Sequence, residues 1–397
     1  MAGALKRRLS LGLLIAYGVG VMVGAGIYVL TGAAAAAAGF WAPVAFLLAG
    51  LVALPSALSF AELSARIPEA AGDSSYVEIG LGRHRLAVLV GAINVIAGTV
   101  AAAAVLRGGV GYLTAILPVP FALAVIVLGA GLIAVALVGV LESLVFAAVL
   151  TLVEVLGLML VIGAGLAADP VADWSLPLPA PEWAGIAGAT VFAFFAFIGF
   201  DDLVNMAEEA HAPERTMPRA ILWSLAITAV LYALVSWAAV RAVPRAVLGA
   251  SEQPLALVWQ AGTGTGAGFL SLIAVAAALN GVLAQIVMAA RVLYGLGKRS
   301  GGFARFRRAH PRFGTPVRAT LLVGVAVIGA ALALPVAALA EITTMALLIV
   351  FAIVNAALIG AKRRRPEAPF SVPVLVPWAG LAASVLTFAA AIWARLA

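Results

Sequence analysis

Residues 9–38 read LSLGLLIAYGVGVMVGAGIYVLTGAAAAAA. A helix that crosses a bilayer needs about 20 mostly apolar residues, and this stretch supplies them without one charged side chain. Glycine weakens a helix by about 1 kcal/mol relative to alanine, yet Gly18, Gly20, Gly24 and Gly26 all fall inside it. Val23-Gly24-Ala25-Gly26-Ile27 therefore predicts a break at mid-span. Lipid cannot satisfy the N–H groups freed there, so such backbone is tolerated only where it is buried in protein or lines a wet cavity. The second half-helix then turns its positive end toward a guest, and a carboxylate is the natural one. Small residues at this spacing also let a second helix pack closely, and for any one glycine pair the sequence leaves both uses open.

Composition sets the class. The chain is 64% hydrophobic and 10% charged, with a mean hydropathy of +1.16, whereas soluble domains carry about 25% charged residues. It reads as an all-α polytopic membrane protein, with the lipid bilayer as its surroundings. There is no cysteine, and the three histidines are scattered, so neither disulfides nor a metal site is expected and no cofactor is called for. The basic start, Lys6, Arg7 and Arg8, precedes an apolar run too long for a signal peptide. A net charge of +7 raises nucleic acid as a partner, but basic residues between spans report orientation instead.

Eleven spans are predicted: 9–38, 43–66, 86–116, 121–140, 144–166, 185–210, 217–240, 268–296, 317–334, 338–360 and 376–394. With the N-terminus inside, 19 of the 24 Lys and Arg lie on the cytoplasmic side, among them Arg83, Arg85 and the run 362–365. That bias follows the positive-inside rule and places the C-terminus outside. The predicted outer loop 167–183 agrees, with Asp169, Asp173 and Glu182 and no Lys or Arg.

The sixth span repeats the logic of the first. Phe192 to Asp202, FAFFAFIGFDD, puts Gly199 and two acids halfway along an apolar segment. Interrupted spans five apart are what a five-plus-five inverted repeat produces, and the inversion brings both breaks together near the midplane. Residues 1–397 are thus read as one transporter domain, with 9–166 as the first repeat, 185–360 as the second and 376–394 as an added helix. Amides at one break and carbonyls at the other suit a zwitterion, and a free amino acid is the simplest.

Five stretches resemble the amino acid–polyamine–organocation transporters, especially the branch with the cationic amino acid transporters. They are 20–28 (GVMVGAGIY), 60–82 (FAELSARIPEAAGDSSYVEIGLG), 107–112 (RGGVGY), 194–219 (FFAFIGFDDLVNMAEEAHAPERTMPR) and 290–316 (ARVLYGLGKRSGGFARFRRAHPRFGTP), in the family's order. The resemblance implies ten core helices in inverted five-helix halves, discontinuous helices one and six, and alternating access. It also implies that Gly24, Ala25 and Gly26, with Met22 and Ile27 beside them, bind the substrate carboxylate through backbone. Phe195, Ala196 and Ile198 match the positions whose carbonyls receive the ammonium, and Phe195 also matches an aromatic gate. The other phenylalanines nearby are read as packing.

Ionisable groups inside spans cost roughly 2.5 to 3.5 kcal/mol each near the centre and are usually functional. Glu154, counted from residues 139–143, matches a position where proton-coupled relatives carry lysine. A buried glutamate alternates between neutral and anionic forms, which keeps proton coupling with the charge logic inverted; Na⁺, a basic substrate's ammonium, or a simple interhelical bond are its other readings. Asp201 matches an acidic position common in the family and is assigned to coupling. Asp202 either favours a cationic substrate or caps the second half-helix. Asn280 falls near the coupling site, where it would bond Glu154 or simply join two helices. Arg107 is expected to snorkel or line a vestibule, and Glu62, Glu208, Glu209 and Arg219 sit near cytoplasmic helix ends, where solvated caps are the first reading of each and paired charges that hold an inner gate the second. Asp73 and Glu78 depart from the family's usual loop.

The sequence thus points to a plasma-membrane secondary transporter that imports an amino acid, with H⁺ ahead of Na⁺ as the coupling ion. An amino acid/amine exchanger without ion coupling and a non-transporting amino-acid sensor are the alternatives; substrate identity and oligomeric state stay open. No nucleotide loop or metal cluster suggests an enzyme.

Overall fold

A computed structural model describes residues 9–68, 72–138, 144–172, 174, 179–310 and 315–396, with backbone alone at Ala25, Glu208, 144–147 and 393–396. Lys6, Arg7, Arg8, Asp173 and residues 139–143 lie outside the described residues, as do the side chains of Ala25 and Glu208.

The first predicted span is two helices, α1 (Leu11–Val23) and α2 (Ala25–Ala38). Ser10 starts α1 by accepting from the Leu13 N–H at 3.4 Å, a standard N-cap. Gly24 ends it with φ −31° and ψ −168°, far from helical values. A 3₁₀ turn, Gly39–Trp41, leads into α3 (Ala42–Arg66), followed by α4 (Gly72–Leu81), α5 (His84–Thr114), α6 (Phe121–Val138) and α7 (Leu144–Ala167). The sixth predicted span is α8 (Trp183–Ala196), a break, and the 3₁₀ helix Asp202–Glu209. Then come α9 (Pro213–Ala242), the short α10 (Arg245–Ala250) and α11 (Pro254–Thr263), α12 (Gly268–Arg299), a 3₁₀ turn Gly301–Phe306, α13 (Val317–Ala333), α14 (Val336–Arg364) and α15 (Leu375–Leu396).

Each segment read as a span contains a helix, and α4, α10 and α11 are short helices between spans. Among the described residues, eight helical stretches are long and apolar enough to cross a membrane, while α1, α8 and α13 are shorter apolar helices. Exposed Leu51, Leu123, Leu152, Val325 and Leu386 belong to such stretches or to α13, as expected of faces turned to lipid.

Two buried apolar clusters make up the interior. One joins α1, α3, α8, α9 and α14, and the other joins α5, α6, α12 and α13. Phe195 belongs to the second cluster although its neighbours Phe194 and Ala196 belong to the first. At one end of the molecule Leu9 forms an isolated parallel bridge with Ala210: its N–H donates to Glu209 O at 2.9 Å, and its carbonyl accepts from the His211 N–H at 3.0 Å.

Candidate functional site where two helix breaks meet

The break in the sixth span begins where α8 tightens: the N–H groups of Phe197 and Ile198 donate to Phe194 O and Phe195 O at 3.0 and 3.1 Å. Gly199 follows with φ +130°, a conformation that only glycine adopts without strain. Asp201 then folds back, its Oδ1 accepting from the Gly199 N–H at 3.0 Å. This local bond stabilises the unwound turn; Asp201 holds the N-cap position of the 3₁₀ helix Asp202–Glu209 but makes no side-chain cap bond to it. Asp202 instead accepts from Gln285 Nε2 of α12 at 3.1 Å.

The two breaks adjoin. A Cβ built on Gly199 would lie 2.7 Å from Val21 Cγ1 and 3.2 Å from the Val21 carbonyl carbon, and one on Gly26 would lie 3.6 Å from both Ala196 Cα and the Phe195 ring. Tyr232 of α9 joins them: its hydroxyl donates to Met22 O at 2.6 Å and lies 3.0 Å from Ala196 O. Those are carbonyls from the C-terminal ends of α1 and α8, the ends where helices leave such groups unpaired.

The glycines of the first span divide by use. A Cβ on Gly18 would meet Ser224 Oγ at 2.5 Å, and one on Gly20 would overlap Thr151 Oγ1, so these two admit α9 and α7 to close contact. Gly24 and Gly26 lie at the break. Met22 and Ile27 bury their side chains in the first cluster. Their side chains serve packing, which leaves backbone to face the break. Ile198 is half-buried and packs against both clusters.

Glu154 is 3% exposed, and its Oε2 has no hydrogen-bond partner. Asn280 makes no hydrogen bond to it among the described residues. Tyr28 lies beside it, donating its hydroxyl to the Glu154 backbone carbonyl at 3.3 Å. Tyr112 in turn donates to Tyr28 O at 2.7 Å, with the two rings edge-on at 6.0 Å. A buried oxygen without a partner carries a desolvation cost of about 1–3 kcal/mol or more when charged.

The residues read as loop departures have definite places. Asp73 of α4, 6% exposed, accepts from Asn94 Nδ2 of α5 at 2.5 Å. Burial pushes its carboxyl up to about 7, Asp201 adds to the shift, and the Asn94 bond opposes it. Glu78 pairs with His84 at 3.1 Å and Arg299 at 3.3 Å, all partly exposed. Glu62 corrects the reading of a solvated end: it is 0% exposed and pairs with Arg66 at 2.6 Å and Lys362 at 2.7 Å, and its Oε2 also accepts from the Val372 N–H at 2.8 Å. Arg107 donates to Ala331 O in the last turn of α13 at 2.8 Å and stacks over Phe121, which makes it a helix cap.

A family model described as amino acid permease matches residues 9–395. The chain belongs to the amino acid permease family. This family member is 31% identical to the methylthioribose transporter of Bacillus subtilis (strain 168) over 93% of its own length and 85% of the relative's. The branched-chain amino acid permease of the same organism is 27% identical over 92% and 83%. Cationic amino acid transporter 9, chloroplastic, of Arabidopsis thaliana is 32% identical over 78% and 58%. The protein is therefore a multi-pass membrane transporter of the amino acid–polyamine–organocation superfamily, as the motif order implied.

Sequence reasoning missed Tyr232, Gln285 and Asn94. Each is a polar residue flanked by apolar neighbours within a long helix, and that is the signal: a donor inside a span needs an acceptor there. The sequence does not say which.

Proposed function

We propose that this permease imports an amino acid across the plasma membrane in symport with H⁺, by alternating access between two inverted five-helix repeats, 9–166 and 185–360. The single observation that carries the reading is the contact between the two breaks, where Gly26 of α2 lies against Ala196 of α8. The N-terminal end of α2 offers N–H groups to a carboxylate through Gly24, Ala25 and Gly26, and the C-terminal end of α8 offers carbonyls of Phe195, Ala196 and Ile198 to an ammonium. Phe195, whose ring lies 3.6 Å from a Cβ built on Gly26 at the break, serves as the gate. The side bearing most of the Lys and Arg is cytoplasmic.

Glu154 is the coupling group in this scheme, supported by its burial and its unpaired Oε2. Asp201 couples site occupancy to closure through its bond to Gly199, with Asn280 on the neighbouring helix. Proteoliposomes test the assignment with labelled L-leucine and L-arginine as probes. Uptake driven by an inward proton gradient is expected for one of them, and Glu154→Gln should abolish the pH dependence while counterflow persists. An unchanged pH profile removes Glu154 from the scheme.

A second substrate reading rests on the relative named for methylthioribose. That solute has no carboxylate, and its hydroxyls are donors that carboxylates accept; Glu154 and the Asp201–Asp202 pair would serve. A thermal-shift screen of amino acids alongside methylthioribose separates the two: stabilisation by methylthioribose alone sinks the amino-acid reading.

A further inference from the structure

Tyr232 hydrogen-bonds one carbonyl from each broken span, Met22 O and Ala196 O, and an ammonium would claim the second. Its ring is fully buried, packed edge-on against Phe46 at 5.7 Å and Phe197 at 5.3 Å. The hydroxyl has one proton for two acceptors, Met22 O at 2.6 Å and Ala196 O at 3.0 Å. The shorter bond is the main one, and Ala196 O, the weaker share, is also the acceptor assigned to substrate.

We propose that Tyr232 is a positioning residue that stands in for the substrate ammonium when the site is empty, satisfying the ends of α1 and α8 together so that the unloaded carrier can close and reorient. This rests on the transport reading above. With substrate bound, the ammonium takes Ala196 O and the hydroxyl keeps Met22 O. Without substrate, the same hydroxyl serves both. Leaving a buried carbonyl unpaired is costly, so removing the hydroxyl burdens the empty carrier by two acceptors and the loaded carrier by one.

Net uptake into empty vesicles needs the unloaded carrier to return, whereas counterflow does not. Tyr232→Phe keeps the ring and its contacts and deletes the donor. For whichever of labelled L-leucine or L-arginine the wild type transports, net uptake should fall about tenfold while counterflow falls less than about threefold. Placing 4-aminophenylalanine at position 232 restores a donor on the same ring and should recover net uptake. Equal losses in both assays, no loss in either, or failure of the amino variant to recover would overturn the role of Tyr232. A wild type without counterflow of either probe strikes the transport reading itself, and is recognised before any variant is made.

Discussion

A methyl group on Gly26 would stand 3.6 Å from the Cα of Ala196, so the second half of the first span meets the end of α8 backbone against backbone. That distance is ordinary van der Waals contact. Gly26→Ala should keep near-normal uptake and expression. Gly26→Leu drives a branched side chain toward the Phe195 ring and fills the approach to the amides. Binding should be lost with the protein still folded, which a thermal-shift titration with L-leucine and L-arginine checks beside uptake; normal uptake by the leucine variant would refute the site.

Gly199 should tolerate far less. Its φ of +130° and the Val21 atoms at 2.7 and 3.2 Å from a built Cβ penalise alanine twice, by backbone strain of about 1–3 kcal/mol and by crowding at the break. Gly199→Ala is expected to lower the melting temperature by several degrees and to reduce uptake strongly. A melting temperature equal to wild type would show that the turn relaxes at no cost.

Glu62 gives the largest expected loss of stability. Removing one partner of a buried ion pair costs about 3–5 kcal/mol, because the other charge is left without compensation. Glu62→Ala strands Arg66 and Lys362, whose side chains are 8% and 11% exposed, and frees the Val372 N–H. The segment between α14 and α15 should then become sensitive to protease, and an unchanged cleavage pattern would count against the network.

Asp73 supplies a pH dependence. Its carboxyl is raised from 3.8 to about 7 in the folded protein, so the fold holds the proton more tightly than the unfolded chain does. Between about pH 4 and pH 7 the folded state binds more protons, stability falls as pH rises, and the loss levels off above the folded value. Asp73→Asn mimics the protonated group and should flatten that slope, a difference on the order of a few kcal/mol at pH 8. Melting curves of both proteins across this range decide it; identical slopes would assign the titration elsewhere.

Much of this could be read from the residues alone because glycine and charge are explicit in one dimension. The break at Gly24 follows from helix propensity, and the one at Gly199 from a glycine followed by two acids in an apolar run. What could not be read is pairing. Glu62 at a helix end looks solvated until Lys362, distant in sequence, is brought to it by α14. Tyr232 looks like packing until two backbone carbonyls, which have no sequence signature, converge on it. Gly20 and Gly26 look alike, and only the neighbouring Thr151 or Ala196 separates a crossing point from a break.

The backbone bridge between Leu9 and Ala210 ties the start of α1 to the chain just past the 3₁₀ helix of the sixth span. A pull on either segment reaches the other through two backbone hydrogen bonds instead of through deformable side chains. The two broken spans are therefore yoked at that face: they swing as one lever, or the yoke must first be unfastened.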